Sequence, residues 1–560
     1  MIDRVVRRTV IYCAAFLALM VLPMPSAQER QPAQALQGPM SIAAQAFTSL
    51  NVDLRTLRTL PAWRQGDRLK EVNPRKHYDR ENRVIEILKK RVSAPLPRMD
   101  PLLGFQTRAF ENRVAFAKAK DLVPGTINIE GQAFTGVNPP DVSGDVSKEH
   151  YIQAINSVDG TSYTIYKKAD GSVAAGPFQL SDLGGQNVTG LGDPIVLYDQ
   201  LANRWLLSEF TDTPVNAVHV YISKTPDPLA GGWHQYRFDT PNFPDYPKFG
   251  VWPDAYYMTS NESDGPAVYA FDRTKMLDGN PQATLQRFLA DQLSGFGFQA
   301  LTPVDLDGAT APPAGSPFYV MRHRDDEVHN VNANNASQDF LELYEVRIDW
   351  ANPANSTMVG PHSLSIAEFD SDLCGLTSFS CFPQMGSSIR LDPLREVIMH
   401  RLPYRNFGTH ETIVGSFVTD VDGQDHGGVR WFELRKIAGG NWVVHQEGTY
   451  APDGQSRWMS SIAMDGSGNI AIAFNVSSTT MFPSLRYTGR LATDPMGTMP
   501  RGEGTLINGT APNASFRYGD YSTLSVDPAD EQLFWFTGEY NPNPAGRWST
   551  RIGTFRFGAP

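Results

Sequence analysis

The sequence predicts an all-β fold: a β-propeller of seven four-stranded blades, its ring closed by a strand from the N-terminal side. Three observations carry this expectation. From about residue 125, aromatic and β-branched residues alternate with polar ones, and Gly, Asn, Asp and Pro punctuate them at short intervals. One unit recurs, an apolar strand, an Asp at a turn and a second apolar strand. Its spacing suits four strands per repeat.

The clearest copies are VLYDQLANRWLLSEF, GVWPDAYYMTS, SIRLDPLREVIMH, SIAMDGSGNIAIAF and TLSVDPADEQLFWF. Weaker ones surround Asp145 and Asp307. The turn aspartates Asp145, Asp199, Asp254, Asp307, Asp392, Asp465 and Asp527 are separated by 54, 55, 53, 85, 73 and 62 residues. The first three intervals are nearly constant, and the later ones leave room for inserted loops. Each unit continues into a third strand, such as VHVYISKT or VRWFELRK, and most into a fourth, such as WHQYRFD. The last unit ends at TRIGTFRFGAP without a fourth strand. An open edge is a liability, and the alternating segment Thr126 to Phe134 is the expected donor of the missing strand.

The ends of the chain read differently. Arg4, Arg7 and Arg8 precede an apolar run of 13 residues, Val10 to Leu22, and small residues follow at Ser26 and Ala27. That order is a secretory signal over residues 1–27, with a run too short to span a bilayer. The expected location is secreted or periplasmic. Residues 28–124 read as a basic, Pro-containing arm, partly disordered or helical, with helical spacing from Tyr78 to Val92. The propeller occupies residues 125–560. Loss of the signal takes three arginines and one aspartate, and the formal net charge from −11 to −13. An acidic chain repels phosphate backbones, which argues against nucleic acid as a partner. The expected partner is an extracellular carbohydrate or protein, with no stable membrane insertion after cleavage. Two cysteines remain, Cys374 and Cys381, with six residues between them. In an oxidising compartment they read as one local disulfide, contributing on the order of 2–3 kcal/mol.

Several stretches (PPDVSGDV, GDPIVLYDQLANRW, FPDYPKFGVWPDAYYM, RLPYRNFGTHETIV, RWMSSIAMDGSGNIAIAF, LRYTGRLATDP and RYGDYSTLSVDP) together resemble a family of large secreted bacterial proteins without an established activity. The resemblance covers most of residues 137–557. It implies export and a propeller-like body, not a reaction. DPADEQLFWF lacks a cysteine often found there, which leaves a second disulfide without support. The turns also faintly resemble sialidase Asp-boxes, in turn chemistry only.

A second position repeats ahead of the turn: Asp141, Asp193, Asp245, Asp305, Ser387, Ser460 and Asp520. First strands of propeller blades line the central channel, so these side chains are expected at one mouth. Crowded carboxylates raise one another's pKa unless a cation compensates. One reading is a site for Ca²⁺, a cationic group or sugar hydroxyls, with Asp141, Asp145 and Asp193 as metal ligands. The other is that each Asp accepts backbone N–H bonds. Further candidates are Arg405, His410 and Glu411 in the fifth unit and Arg517 and Glu539 in the last. Paired carboxylates beside an Arg suit glycosidic chemistry. G-x-S-x-G, P-loop and G-x-G-x-x-G patterns are absent. The expected function is therefore a secreted binding or scaffold propeller that presents an Asp-rich channel mouth to a carbohydrate, peptide or envelope component. The alternative is an extracellular glycoside hydrolase or lyase that uses channel carboxylates.

Overall fold

The computed structural model describes residues 38–72, 99–106, 121–185, 188–293, 300–329, 339–376, 379–542 and 544–558. The signal read over residues 1–27 and the helix read over Tyr78 to Val92 lie outside them. Among the described residues, no helix is long and apolar enough to cross a membrane.

The strands pair antiparallel in groups of four in chain order, and the fourth and fifth groups join into one eight-stranded sheet through a parallel pairing of Thr302–Leu306 with Leu402–Asn406. Their innermost members are Ser143–Val146, Gly192–Asp199, Asp245–Val251, Thr302–Leu306, Leu402–Asn406, Ser456–Met464 and Thr523–Val526. Each packs against the next, and the seventh returns to the first. The all-β propeller expectation holds. These strands are buried along nearly their whole length, polar residues such as Ser143, Asp145, Lys248 and Asp305 included. At Gly250 a Cβ would sit 1.9 Å from the Val304 carbonyl oxygen of the next unit. Only a glycine admits that approach.

The seventh unit has three strands from the C-terminal end. Its fourth is Leu122–Ala133, which pairs antiparallel with Ser549–Phe557, Ile129 opposite Ile552 and Asn128 opposite Gly553. The ring closes as the alternating segment predicts.

The turn aspartates act as turn chemistry requires. The Ala202 N–H donates to Asp199 Oδ1 at 3.0 Å. The Ser467 and Asn469 amides donate to Asp465 at 2.8 and 2.9 Å. Some also tie neighbours together: Asp199 accepts the Arg273 guanidinium and the Tyr256 hydroxyl, both at 2.8 Å.

One local expectation needs correction. The fifth turn is not at Asp392. The fifth hairpin runs from Leu402–Asn406 to His410–Asp420, and Asp392 belongs to an inserted segment. The inserted segment carries the expected Cys374–Cys381 disulfide. Its Leu391, Leu394, Val397 and Met399 pack with Tyr246, Phe249, Met459, Tyr518 and Tyr521 in one buried cluster. Where described, the arm holds edge strands, a 3₁₀ turn at Leu54–Thr56 and a helical stretch at residues 103–106. Met40–Ala43 pairs with Thr284–Leu289 and Ala46–Leu50 with Trp233–Asp239, each adding a fifth strand to a unit's outer edge. Covered edges cannot template pairing with another chain.

Candidate functional site

The innermost strands begin with a backbone irregularity. Register breaks fall between Gly192 and Ile195, Asp245 and Lys248, and Trp458 and Ser461. Just there Asp141, Asp193, Tyr246, Met459 and Asp520 have φ between +48° and +57°. Non-glycine residues in the left-handed region cost of order 1–3 kcal/mol each and persist only where the surroundings hold them. The equivalent axial residues of the third and sixth units are thus Tyr246 and Met459. Asp245 and Ser460, named from the sequence, are each one residue out of register.

Asp141, Asp193 and Asp520 come together. The Asn156 amide donates to Asp141 Oδ2 at 2.7 Å, and its Oδ1 accepts the Asp193 N–H at 2.8 Å. The Tyr521 hydroxyl donates to Asp193 Oδ2 at 3.0 Å. Arg517 pairs with Asp520 and, at 3.1 Å, with Asp392. The Lys248 ammonium lies 3.3 Å from the Tyr246 ring centroid and 3.0 Å from that of Tyr521. All of these groups are buried. Glu539 joins through the Gly519 N–H at 2.7 Å.

Burial pushes the Asp141 carboxyl up, and the charges of Asp193 and Asp520 add to this. Burial also raises Asp193, with Lys248 opposing it. The two carboxyls are neighbours, and their proximity pushes Asp141 up while helping to hold Asp193 down. Burial drives Lys248 well down, and Asp193, Asp141 and Asp520 work to keep its charge. For Arg517 burial is outweighed by Asp520, Asp392 and Asp141, which hold it protonated.

The mouth beside this cluster is covered. The inserted segment brings Asp392 to Arg517. From the arm, Lys70–Glu71 pairs in parallel with Val137–Asn138. The Val72 carbonyl accepts the Arg517 Nε–H at 3.0 Å, and Ser515 donates to Glu71. The open, Asp-lined mouth expected from sequence is instead a packed layer.

The remaining candidates lie elsewhere. Asp305 accepts the Val251 N–H at 2.9 Å and Arg401 Nε–H at 2.6 Å. Burial lifts its pKa to about 6 against the pull of Arg401. Asp145, read as a metal ligand with Asp141 and Asp193, accepts the Val146 and Tyr198 amides at 2.8 and 2.7 Å. Both fit the backbone-capping reading. Ser387 accepts the Ile389 amide at 3.1 Å. Arg405, His410 and Glu411 flank the turn at the far end of the fifth unit's inner strand, away from Arg517, Asp520 and Glu539. Arg405 pairs with Glu531. Glu411 accepts the Tyr404 hydroxyl at 2.7 Å and lies 3.4 Å from Lys436. His410 stacks on Phe407.

A cavity of about 700 Å³ opens between the closing strand, the first unit and the arm. Its lining includes Trp63, Phe134, Gln132, Ser157, Asp159 and Gln179. Trp63 is half-buried and packs edge-on to Phe134, with ring centroids 5.1 Å apart. Its indole N–H donates to the Arg68 carbonyl at 3.2 Å, which fixes the ring. Sequence reasoning missed this cavity because it treated the arm as separate from the body. It missed Lys248, Tyr246 and Tyr521 too. Their signal was present, since Tyr246 and Tyr521 each directly follow a named Asp and Lys248 stands three residues after Asp245.

No protein-family model and no curated protein matches the chain. Among solved structures it is similar to an ulvan lyase of a polysaccharide lyase family, at 13% identity and TM-score 0.38, over 78% of this chain and 96% of that one. It is also similar to an endo-arabinase from Bacteroides thetaiotaomicron, at 15% identity and TM-score 0.27, over 55% and 95%. An exo-1,5-α-L-arabinanase from a bovine ruminal metagenomic library is similar at 10% and 0.29, over 58% and 99%. At such scores the fold and the chemistry stand on this chain's own residues.

Proposed function

We propose that the protein is an exported propeller that binds an extracellular carbohydrate in the Trp63 cavity. The observation that carries this reading is the cavity itself: a fixed, half-exposed indole, edge-on to Phe134 and with the Arg547 guanidinium 5.0 Å from its ring centroid, lines it together with amide, hydroxyl and carboxylate side chains. Its volume suits a small ligand. An indole face covers the apolar C–H face of a sugar ring, and Ser157, Asp159 and Gln179 offer polar groups to hydroxyls. The test is a glycan-binding screen followed by calorimetry. Trp63→Ala should weaken the selected glycan at least tenfold, with the melting temperature of the propeller little changed. A wild-type protein that holds no glycan, or a variant that binds equally well, overturns the reading.

A second reading, polysaccharide cleavage at the axial acids, draws on Asp141 and Asp193, left-handed in backbone and both pushed up by burial. Strained, pKa-shifted groups cluster at catalytic sites. Against it, hydrolytic carboxyl pairs flank a bond in an accessible cleft, while these two are buried. The arm residues over them would also have to move. Turnover of a glycan that Asp193→Asn abolishes would favour cleavage over binding alone.

A further inference from the structure

The fourth unit holds a second group of acids, unlike the axial one. Asp326 and Glu327 lie just beyond its second strand, Phe318–Arg324. Asp339 begins its third, Asp339–Arg347, and Glu368 follows its fourth, Thr357–Ile366. All four are buried, at 3%, 3%, 0% and 4% exposure. One carboxylate oxygen from each lies within 4.8 Å of the others.

Asp339 is held in place: its oxygens accept the Asp326 and Phe369 amides at 2.8 and 2.9 Å. Glu327 is not. Neither of its oxygens receives a backbone or side-chain donor from outside the cluster, although the residue is 97% removed from solvent; it meets the Asp326 carboxyl instead. The charges that weigh most on Glu327 are Asp325, Glu368 and Asp326, and on Asp339 they are Asp325 and Glu368. All are carboxylates, where the axial acids have Lys248 and Arg517. A buried, donorless carboxylate among other carboxylates carries a desolvation cost that a cation at their centre would offset.

We infer that Asp326, Glu327, Asp339 and Glu368 bind one Ca²⁺ ion. An all-oxygen, all-carboxylate set selects hard cations over zinc or copper. Coordination habit then discriminates. Ca²⁺ takes six to eight oxygens in flexible geometry, whereas Mg²⁺ dehydrates reluctantly and seldom enters an all-protein cage. Four carboxylate oxygens within 4.8 Å of one another are close enough to share one such ion. The ion would join three separate points of the fourth unit. It would also pin Glu368, from which the chain enters the disulfide-bearing insertion over the axial mouth. Ser371 already anchors that entry, its N–H and hydroxyl donating to Asp325 at 2.9 and 2.7 Å.

The test uses the full mature chain, stripped with chelator and titrated with Ca²⁺ by calorimetry, with elemental analysis of the protein as purified. The expected result is one Ca²⁺ per chain, bound at least tenfold more tightly than Mg²⁺. Glu327→Gln and Glu368→Gln should each weaken it at least tenfold, and Asp193→Asn should not. Should either variant fail to fold, the wild-type stoichiometry and ion preference still decide. A wild-type protein that carries no divalent metal and takes up none at millimolar Ca²⁺ overturns the site. So does tighter binding of Mg²⁺, or a folded Glu327→Gln that binds like the wild type.

Discussion

The axial acids and the acids of the fourth unit are chemically alike and are handled in opposite ways. Around the axis, Asp141, Asp193 and Asp520 converge with a lysine, an arginine, two tyrosines and an asparagine. Lys248 and Arg517 bring positive charge to the group from this chain. In the fourth unit the carboxylates converge with other carboxylates, and Glu327 has no donor. An acid cluster therefore does not by itself mark a ligand site. What distinguishes the two is one buried carboxylate, Glu327, neither of whose oxygens receives a donor. By that measure the axial cluster reads as closed internal structure, and the fourth unit is where an outside cation is called for.

The largest effect should come from breaking the axial compensation. Lys248→Met keeps the length and apolar stem of the side chain but removes its charge. It leaves Asp193, Asp141 and Asp520 facing one cation fewer in a buried layer. Removing one partner from a buried ionic group typically costs about 3–5 kcal/mol. Urea unfolding should register a loss of that size. A loss below about 1 kcal/mol would mean that the ring is solvated and open after all.

Glu209 sharpens the comparison as a third case, a buried acid with neither cation nor neighbouring cluster. It accepts the Tyr221 hydroxyl at 3.1 Å. Burial lifts its pKa to about 8, while hydrogen bonds from Thr161 and Tyr221 oppose the rise. Its folded pKa lies above its unfolded one, so its contribution to stability is full below pH 4.5 and is lost as pH rises through about 8. Glu209→Gln should flatten this slope, leaving the variant more stable relative to wild type at pH 8.5 than at pH 4.5, by on the order of 2 kcal/mol. Chemical unfolding at the two pH values measures it. Equal differences at both would show that Glu209 is ionised throughout.

The sequence made the repeat legible because strand periodicity and turn chemistry are local. VHVYISKT and VRWFELRK fall on Ala217–Ser223 and Gly427–Ile437, and the alternation of TINIEGQAF sufficed to find the closing strand. The fifth unit failed because SIRLDPLREVIMH imitates the strand–Asp–strand pattern within an insertion, while the true turn, Phe407 to Thr409, has no Asp. The axial register slipped by one at Asp245 and Ser460 because a bulge adds a residue that no pattern marks. The fourth-unit cluster was illegible for a different reason. Asp326, Asp339 and Glu368 are brought together only when three connections of one unit fold against each other, and no spacing in the chain records that.

The most direct test of the contrast is a thermal melt of wild type, Asp193→Asn and Glu327→Gln, each with millimolar Ca²⁺ and with chelator. Binding to the folded state alone raises stability by mass action, about 2.7 kcal/mol at a hundredfold excess over Kd. The account expects Ca²⁺ to raise the melting temperature of the wild type and of Asp193→Asn equally, and to leave Glu327→Gln unmoved. The reverse pattern, with the Ca²⁺ response lost in Asp193→Asn and kept in Glu327→Gln, would contradict it and return the metal to the axis.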